Sequence, residues 1–186
     1  MNPDEQVEQQ APEATASPLP EPSIVHLRDG TAVTIRPIVP EDAPLLQALF
    51  HRLSPESIFF RFLGRPKELP RQQAERLANL DYRRQMAFVA TLGGDIIGVA
   101  RYAQSSYHEE GLMEAAVVVE DEYQSRGLGT ILLNHLSDYA REQGVLAFLA
   151  SIHQTNDRIL GFIRKSGLRT ESRIEAGLWE IRVYLD

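Results

Sequence analysis

A short glycine-containing loop between a strand-like run and a helix-like run constrains this chain more than any other feature. The run Leu112–Val119 ends in three β-forming valines, and residues 124–129 then read Gln-Ser-Arg-Gly-Leu-Gly. Thr130–Gln143 has apolar residues at helical spacing, with Gly144 as its stop. Strand, loop and helix in this order direct unpaired backbone N–H groups and the positive helix end at an anion, typically a phosphate.

Two familiar phosphate-binding loops do not fit these residues. A dinucleotide fingerprint needs a third glycine three residues after the second, where this chain has Leu132. A Walker A loop needs Gly-Lys-Ser/Thr, and this loop has no lysine. A Gly-x-Gly turn can also be purely structural. The loop by itself therefore predicts an anion at a helix start and leaves the ligand open.

Hydrophobic periodicity predicts one mixed-sheet α/β domain around this loop. Strands are predicted at Ile24–Leu27, Ala32–Ile35, Met86–Leu92, Ile96–Ala103, Leu112–Val119, Val145–Ile152, Leu168–Arg173 and Leu178–Leu185. Helices are predicted after Pro40, after Ser54, over about residues 70–80, and at Thr130–Gln143 and Asn156–Lys165. The Asp29-Gly30 and Gly93-Gly94-Asp95 turns predict hairpins between neighbouring strands.

Composition changes sharply near residue 22. Residues 1–22 hold five of the eleven prolines, five of the 26 acidic residues and none of the 19 lysines and arginines, which predicts a disordered acidic tail. The predicted domain, residues 23–186, then has a net charge of only −2 within the total of −7. A near-neutral domain gives no support for a nucleic-acid partner.

Several other classes of function are disfavoured by what the chain lacks. The longest apolar run, Val145–Ala150, is far shorter than the roughly 20 residues of a membrane span, and the acidic start does not resemble a secretory signal. We therefore expect a cytoplasmic protein without a membrane partner. With no cysteine there is no thiolate metal site and no cysteine acyl-enzyme, and we expect no metal.

The loop and its surroundings resemble motif A of the GNAT acyltransferases, which is a strand, a few polar residues, (Gln/Arg)-x-x-Gly-x-(Gly/Ala) and a helix. Val119–Gly129 matches this motif throughout, and the helix that opens at Asn156 and ends in Lys165-Ser-Gly-Leu168 is similar to the second GNAT motif. The runs Glu114–Val119 and His26–Ile38 look like the bacterial protein lysine acetyltransferases of the Pat type. The resemblance covers about residues 24–186 and implies a single GNAT-like domain with a central, mostly antiparallel twisted sheet flanked by helices.

This resemblance implies acetyl-CoA as co-substrate and a set of residues that bind it. The backbone of Val117, Val118 and Val119 would pair with the pantetheine arm, and Asn156 would bond the same arm or simply cap its helix. The amides from Ser125 to Thr130 would hold the pyrophosphate, with added contacts from Gln124 and Arg126. The implied binding set is Val117, Val118, Val119, Gln124, Ser125, Arg126, Gly127, Leu128, Gly129, Thr130 and Asn156.

An acetyl transfer to an amine also needs a base, because a lysine amine with a pKa of about 10.4 is protonated at neutral pH. Glu114 is the only charged residue between Leu112 and Val119 and matches the general-base glutamate of Pat-type enzymes. A structural ion pair or a solvent-facing position are the alternatives for this side chain. The amide of Val118 is expected to stabilise the oxyanion. Ile163 stands where many GNAT members have a general-acid tyrosine, so no general acid is assigned.

The acceptor follows only from the Pat-type resemblance. It implies a protein lysine ε-amine that attacks acetyl-CoA directly in a ternary complex. A small-molecule amine could use the same donor loop. A catalytically idle domain that senses acyl-CoA or recruits partners is the alternative from another class. Oligomeric state is not predicted.

Overall fold

In a computed structural model of the 186-residue chain, the structure is described for residues 19–107 and 109–186. Eight strands form one sheet: β1 (Ser23–His26), β2 (Ala32–Pro37), β3 (Gln85–Leu92), β4 (Asp95–Gln104), β5 (Leu112–Val119), β6 (Ala147–His153), β7 (Thr170–Glu175) and β8 (Leu178–Tyr184). Five helices flank it: α1 (Ala43–Arg52), α2 (Pro55–Phe62), α3 (Arg71–Ala78), α4 (Leu128–Glu142) and α5 (Asp157–Ser166). The expected disordered tail, residues 1–22, lies almost wholly outside the described residues and stays a prediction.

The sheet has the order β1-β2-β3-β4-β5-β6-β8-β7, and every neighbouring pair is antiparallel except β5 and β6. The predicted class, a mixed and mostly antiparallel sheet with helices in a single domain, is confirmed. The β5–β6 pair is parallel because α4 carries the chain back over the sheet between them. This crossover places the glycine loop, residues 124–129, beyond the C-terminal end of β5, with its last two residues in the first turn of α4.

Helices cover both faces of the sheet and create two hydrophobic clusters. On one face α4 buries Leu128, Leu132 and Leu136 against β3 and β4. Gly98 of β4 permits this close approach, since a β-carbon there would lie 3.0 Å from Leu132 Cδ1. On the other face α1 and α3 pack against the sheet with Leu49 and other apolar residues. None of the helices in the described ranges has both the length and the hydropathy that a bilayer crossing requires.

Three elements begin two residues away from the start that the sequence predicted. The helix expected from Thr130 begins at Leu128, because the positive φ of Gly127 (+92°) lets the chain turn directly into α4. The strand expected from Val145 begins at Ala147, and Leu146, at 64% exposure, lies outside the core. The strand expected at Leu168–Arg173 is shifted to Thr170–Glu175 by the turn at Gly167 that ends α5.

Candidate functional site

The parallel strands β5 and β6 separate soon after they begin, and a cleft opens between them. Their register runs only from Leu112 opposite Ala147 to Glu114 opposite Leu149. Beyond that point both strands border a cleft of about 880 Å³ that extends from the glycine loop to α5. Its walls include Ala115, Ala116, Val117, Val118 and Val119 of β5, Ala150, Ser151 and Ile152 of β6, and Asn156, Ile159 and Ile163 from the α5 region.

The alternation of strand hydrogen bonds decides which β5 backbone groups face this cleft. Glu120 N–H donates to Ile97 O on the β4 side, and the β4–β5 register is regular. Because backbone direction alternates, Val118 also directs its N–H toward β4, whereas Val117 and Val119 direct theirs toward the cleft. The expectation that the Val118 amide stabilises an oxyanion is therefore wrong, since that amide belongs to the β4–β5 ladder.

At the glycine loop, six consecutive backbone N–H groups are left without acceptors. Within the described residues, none of the amides from Ser125 to Thr130 donates a hydrogen bond to the protein. Ser125 and Gly127 both have positive φ, +61° and +92°, which turns the loop around the start of α4. Unpaired amides at the positive end of a 15-residue helix form a site for an anion.

Two of the predicted loop residues direct their side chains away from the cleft. Leu128 is buried in the core at 1% exposure, so only its backbone is available to a ligand. Arg126 forms an ion pair with Asp29 at 2.7 Å and lies over the Tyr123 ring at 5.3 Å. Arg28 N–H also donates to Arg126 O, so these contacts fasten the β1–β2 turn to the loop.

Gln124 has a positioning role that the sequence did not indicate. Its Nε2 donates to Val119 O and to Ser57 Oγ, both at 2.9 Å, and this joins the end of β5 to α2. Asp121 adds to the same junction by accepting bonds from Ser54 and Ser57 at 2.7–2.8 Å. Burial alone would raise the pKa of Asp121, but these hydrogen bonds outweigh it and the pKa is lowered. Contact between Gln124 and a phosphate stays a prediction.

Asn156 caps α5, and its binding to the cofactor arm stays a prediction. Its Oδ1 accepts from Ile159 N–H at 3.4 Å and caps α5, as expected of an N-cap residue. The residue also borders the cleft, and its Nδ2 donates to no group in the described residues. An asparagine amide has two donors, so the cap leaves both of them free for a ligand.

Glu114 lies where the cleft begins. It is the last β5 residue in register with β6, and the next residue, Ala115, is the first to border the cleft. Its side chain is exposed, and Oε1 accepts hydrogen bonds from Ser106 N and Ser106 Oγ at 3.2 and 2.9 Å. Glu114 thus faces solvent at this end of the cleft, and its Oε2 has no partner among the described residues.

Several cationic side chains that the sequence did not single out also border the cleft. They come from separated parts of the chain, and no motif in the sequence connects them: Arg28, Arg61, Arg141 and Arg158. Arg28 is the nearest to the loop, because its Nε lies 3.5 Å from the place where a β-carbon on Gly127 would sit. Ile163 also borders the cleft, so the position of the usual tyrosine presents an apolar side chain there.

Comparison with known proteins identifies this arrangement. The model of the acetyltransferase (GNAT) family matches residues 48–168, a stretch that includes β5, the loop and α5. The chain belongs to this family. Membership confirms the predicted family and its class of enzyme, the acetyltransferases.

The relatives agree with this assignment. An acetyltransferase of Pseudomonas aeruginosa is 42% identical over 122 residues, covering 63% of this chain and 64% of the relative. The acetyltransferase Pat of Mycolicibacterium smegmatis is 31% identical over 77% of this chain but only 42% of its own length. This GNAT chain thus spans less than two thirds of either relative.

Among solved structures, the GNAT domain of S. lividans PAT superposes with a TM-score of 0.79 at 27% identity and covers 88% of this chain and 96% of that one. An acetyltransferase from Salmonella typhimurium, solved with acetyl-CoA, has the same fold at 19% identity and a TM-score of 0.67, over 84% and 95% of the two chains.

Proposed function

We propose that this GNAT protein transfers the acetyl group of acetyl-CoA to a primary amine, in first place the ε-amine of a protein lysine. The observation that carries the proposal is the junction of the six unbonded amides at Ser125–Thr130 with the cleft between β5 and β6. The amides suit the pyrophosphate, and the cleft continues from them along the free edge of β5. The protein lysine is supported by the similarity to Pat and to the S. lividans GNAT domain.

The donor would lie along β5 as an additional strand. The pyrophosphate would bind at the start of α4, with Arg28 beside it. The pantetheine arm would form hydrogen bonds with the cleft-facing N–H and C=O of Val117 and with Nδ2 of Asn156. Because Val119 O already accepts from Gln124, Val119 would offer its N–H alone. This arrangement directs the thioester toward Ala115, at the end of the cleft next to Glu114.

Glu114 would act as the general base, through a bound water. An acceptor amine reaches the cleft as an ammonium ion, and freeing it at pH 7 costs about 4.6 kcal/mol for a pKa of about 10.4. Glu114 Oε2 is unbonded in the described residues and exposed, so it can take the proton, while Ser106 holds Oε1 in place. The structural support is this position at the start of the cleft.

The freed amine would then attack the thioester carbonyl carbon directly in a ternary complex. The nitrogen–carbon bond forms, the carbonyl oxygen becomes an oxyanion, and its collapse breaks the carbon–sulfur bond and releases the CoA thiolate. The cleft-facing N–H of Val117 is the backbone donor nearest to this end. Ile163 supplies no proton, and a thiolate whose conjugate acid has a pKa of about 8.5 leaves without one.

The test is release of CoA from acetyl-CoA with a panel of proteins, lysine peptides and small amines. Wild type, Glu114→Gln and a matched control, Glu142→Gln on the exposed end of α4, are compared at equal concentration. We expect turnover with a lysine acceptor that falls strongly in Glu114→Gln only. Turnover with small amines alone would contradict the protein acceptor, and acetyl-CoA binding without turnover on any amine would favour the idle, acyl-CoA-sensing alternative.

A further inference from the structure

Arg61 and Arg101 bring two positive charges together beside the cleft. Arg61 lies in the last turn of α2 and borders the cleft. Arg101 lies on β4 directly opposite Ala116 of β5, which is also a cleft residue. Paired residues on antiparallel strands direct their side chains to the same face, so the Arg101 side chain shares a face with Ala116.

Neither arginine has a counter-charge in the part of the chain that the structure describes. Burial lowers the pKa of both side chains, and the neighbouring charge of Arg61 contributes to lowering the pKa of Arg101 to about 10. An arginine guanidinium in a protein stays protonated at neutral pH, so both side chains carry a charge. Within the described residues neither guanidinium is ion-paired or hydrogen-bonded. Arg61 does make a cation–π contact, with its guanidinium carbon 5.0 Å from the centre of the Phe62 ring. Two like charges held close together and partly removed from water are unfavourable unless an anion lies between them.

An anion can reach these side chains. Among the described residues, Gln143 Nε2 is the one side-chain nitrogen or oxygen that is both sealed from solvent and unbonded. The unbonded guanidinium nitrogens of Arg61 and Arg101 therefore keep some solvent access. Since Arg61 borders the cleft, a ligand in the cleft can approach them.

The position of the pair separates it from the pyrophosphate site. Ser57, which contacts Gln124 near the loop, lies one helical turn before Arg61 on α2, about 6 Å along the helix axis. On the sheet, Arg101 is opposite Ala116. Ala116 lies two residues after Glu114 on β5, on the same face and about 7 Å away. The pair thus lies beside the end of the cleft where the acceptor amine would react.

We infer that Arg61 and Arg101 bind a carboxylate that the acceptor carries close to its reacting amine. The inference rests on the proposed function and specifies the acceptor within it. A guanidinium matches a carboxylate in a planar, two-bond geometry, and an anion between two guanidinium groups relieves their mutual repulsion. The carboxylate has two possible sources, the α-carboxylate of a free amino acid or an Asp or Glu side chain beside a target lysine in a peptide.

Paired acceptors distinguish these sources. One arm uses free amino acids against their carboxamides, and the other uses lysine peptides with Glu against Gln next to the lysine. Steady-state CoA release gives kcat and the KM of each acceptor and of acetyl-CoA for wild type, Arg61→Gln, Arg101→Gln and Arg101→Lys. Arg71→Gln is the control, since its side chain is 86% exposed on α3.

We expect wild type to prefer the carboxylate member of at least one arm by tenfold or more. Arg61→Gln and Arg101→Gln should lose that preference through a higher acceptor KM, with less than a twofold change for the carboxamide or Gln partner. Arg101→Lys should recover part of it, and Arg71→Gln should behave as wild type. Equal KM values within every pair for wild type, or a variant effect confined to acetyl-CoA, would overturn the inference.

A measurement without turnover separates this inference from the proposed function. The same paired probes are titrated calorimetrically into the CoA-bound protein. Tighter binding of the carboxylate member that is lost in both Gln variants supports the anion site even if no amine is acetylated, in which case only the proposed function fails. Equal binding of both members in wild type overturns the anion site.

Discussion

Replacing Gly127 by Asp and by Asn tests whether the loop holds the pyrophosphate. Gly127 precedes α4 with φ +92° and lies in the middle of the six unbonded amides. Asn and Asp have nearly the same shape and tolerate positive φ better than most residues, so each should cost about 1 kcal/mol of stability. Their difference is one negative charge placed beside the expected phosphates.

The size of that difference follows from the geometry of the loop. Two unit charges about 5 Å apart repel by roughly 3 kcal/mol at an effective dielectric constant of about 20 and by about 1 kcal/mol in bulk water. Because the loop borders an open cleft, we expect 1 to 2 kcal/mol, or a Kd for CoA roughly 5- to 30-fold higher for Asp than for Asn. Arg28 Nε, 3.5 Å from the new β-carbon, would also pair with Asp and be lost to the phosphate.

Calorimetric titration of CoA into both variants at low and at physiological salt measures the effect. The difference in Kd for CoA between the Asp and Asn variants should become smaller as salt rises, since the Debye length falls from about 30 Å at 0.01 M to about 8 Å at 0.15 M. Thermal unfolding of each variant without ligand checks that both are folded. Equal Kd values at low salt would refute the pyrophosphate site at this loop.

Three other results are expected. Glu114→Gln should lower kcat/KM at pH 7 by about 10²- to 10³-fold. Its kcat/KM should then rise about tenfold per pH unit, since only the free amine reacts. A pH profile of kcat/KM parallel to that of wild type would contradict the role of Glu114 as general base. Because its pKa is lowered in the folded protein, Asp121 stabilises the fold above its unfolded pKa near 3.8 and loses that contribution as pH falls through its folded pKa. Asp121→Asn should therefore unfold at a lower urea concentration at pH 7 and lose less stability than wild type on acidification. An equal loss of stability with falling pH in both proteins would contradict this. Leu132→Ala should cost about 2–5 kcal/mol in urea unfolding because the side chain is fully buried, whereas Leu146→Ala, at 64% exposure, should change stability by less than about 0.5 kcal/mol; equal losses would contradict the core assignment.

Much of the fold could be predicted because its patterns are local. Hydrophobic periodicity and turn residues indicated all eight strands and the helices, and the glycine at 144 marked the end of α4. The errors lie at boundaries where a long-range contact decides. Leu146, for example, continues an apolar run, yet its N–H bonds Gly111 O and its side chain lies outside the core.

The candidate site divides in the same way. The unbonded amides of Ser125–Thr130 arise from local backbone geometry at a helix start, so the sequence pattern could predict them. The roles of individual side chains depend on what folds against them. Gln124 turned out to join β5 to α2, and Arg126 to hold the β1–β2 turn, because Ser57 and Asp29 lie there only in the folded protein.

The sequence by itself determined the family, the fold class and the unbonded backbone amides at the start of α4, since short-range spacing and backbone conformation suffice for these. Only the tertiary structure decided which groups surround the site. The alternation of β5 against β4 assigned the cleft-facing amides to Val117 and Val119 rather than Val118. Arg61 and Arg101, 40 positions apart on α2 and β4, became neighbours because a helix packs across a sheet, and no spacing in one dimension reports such a contact.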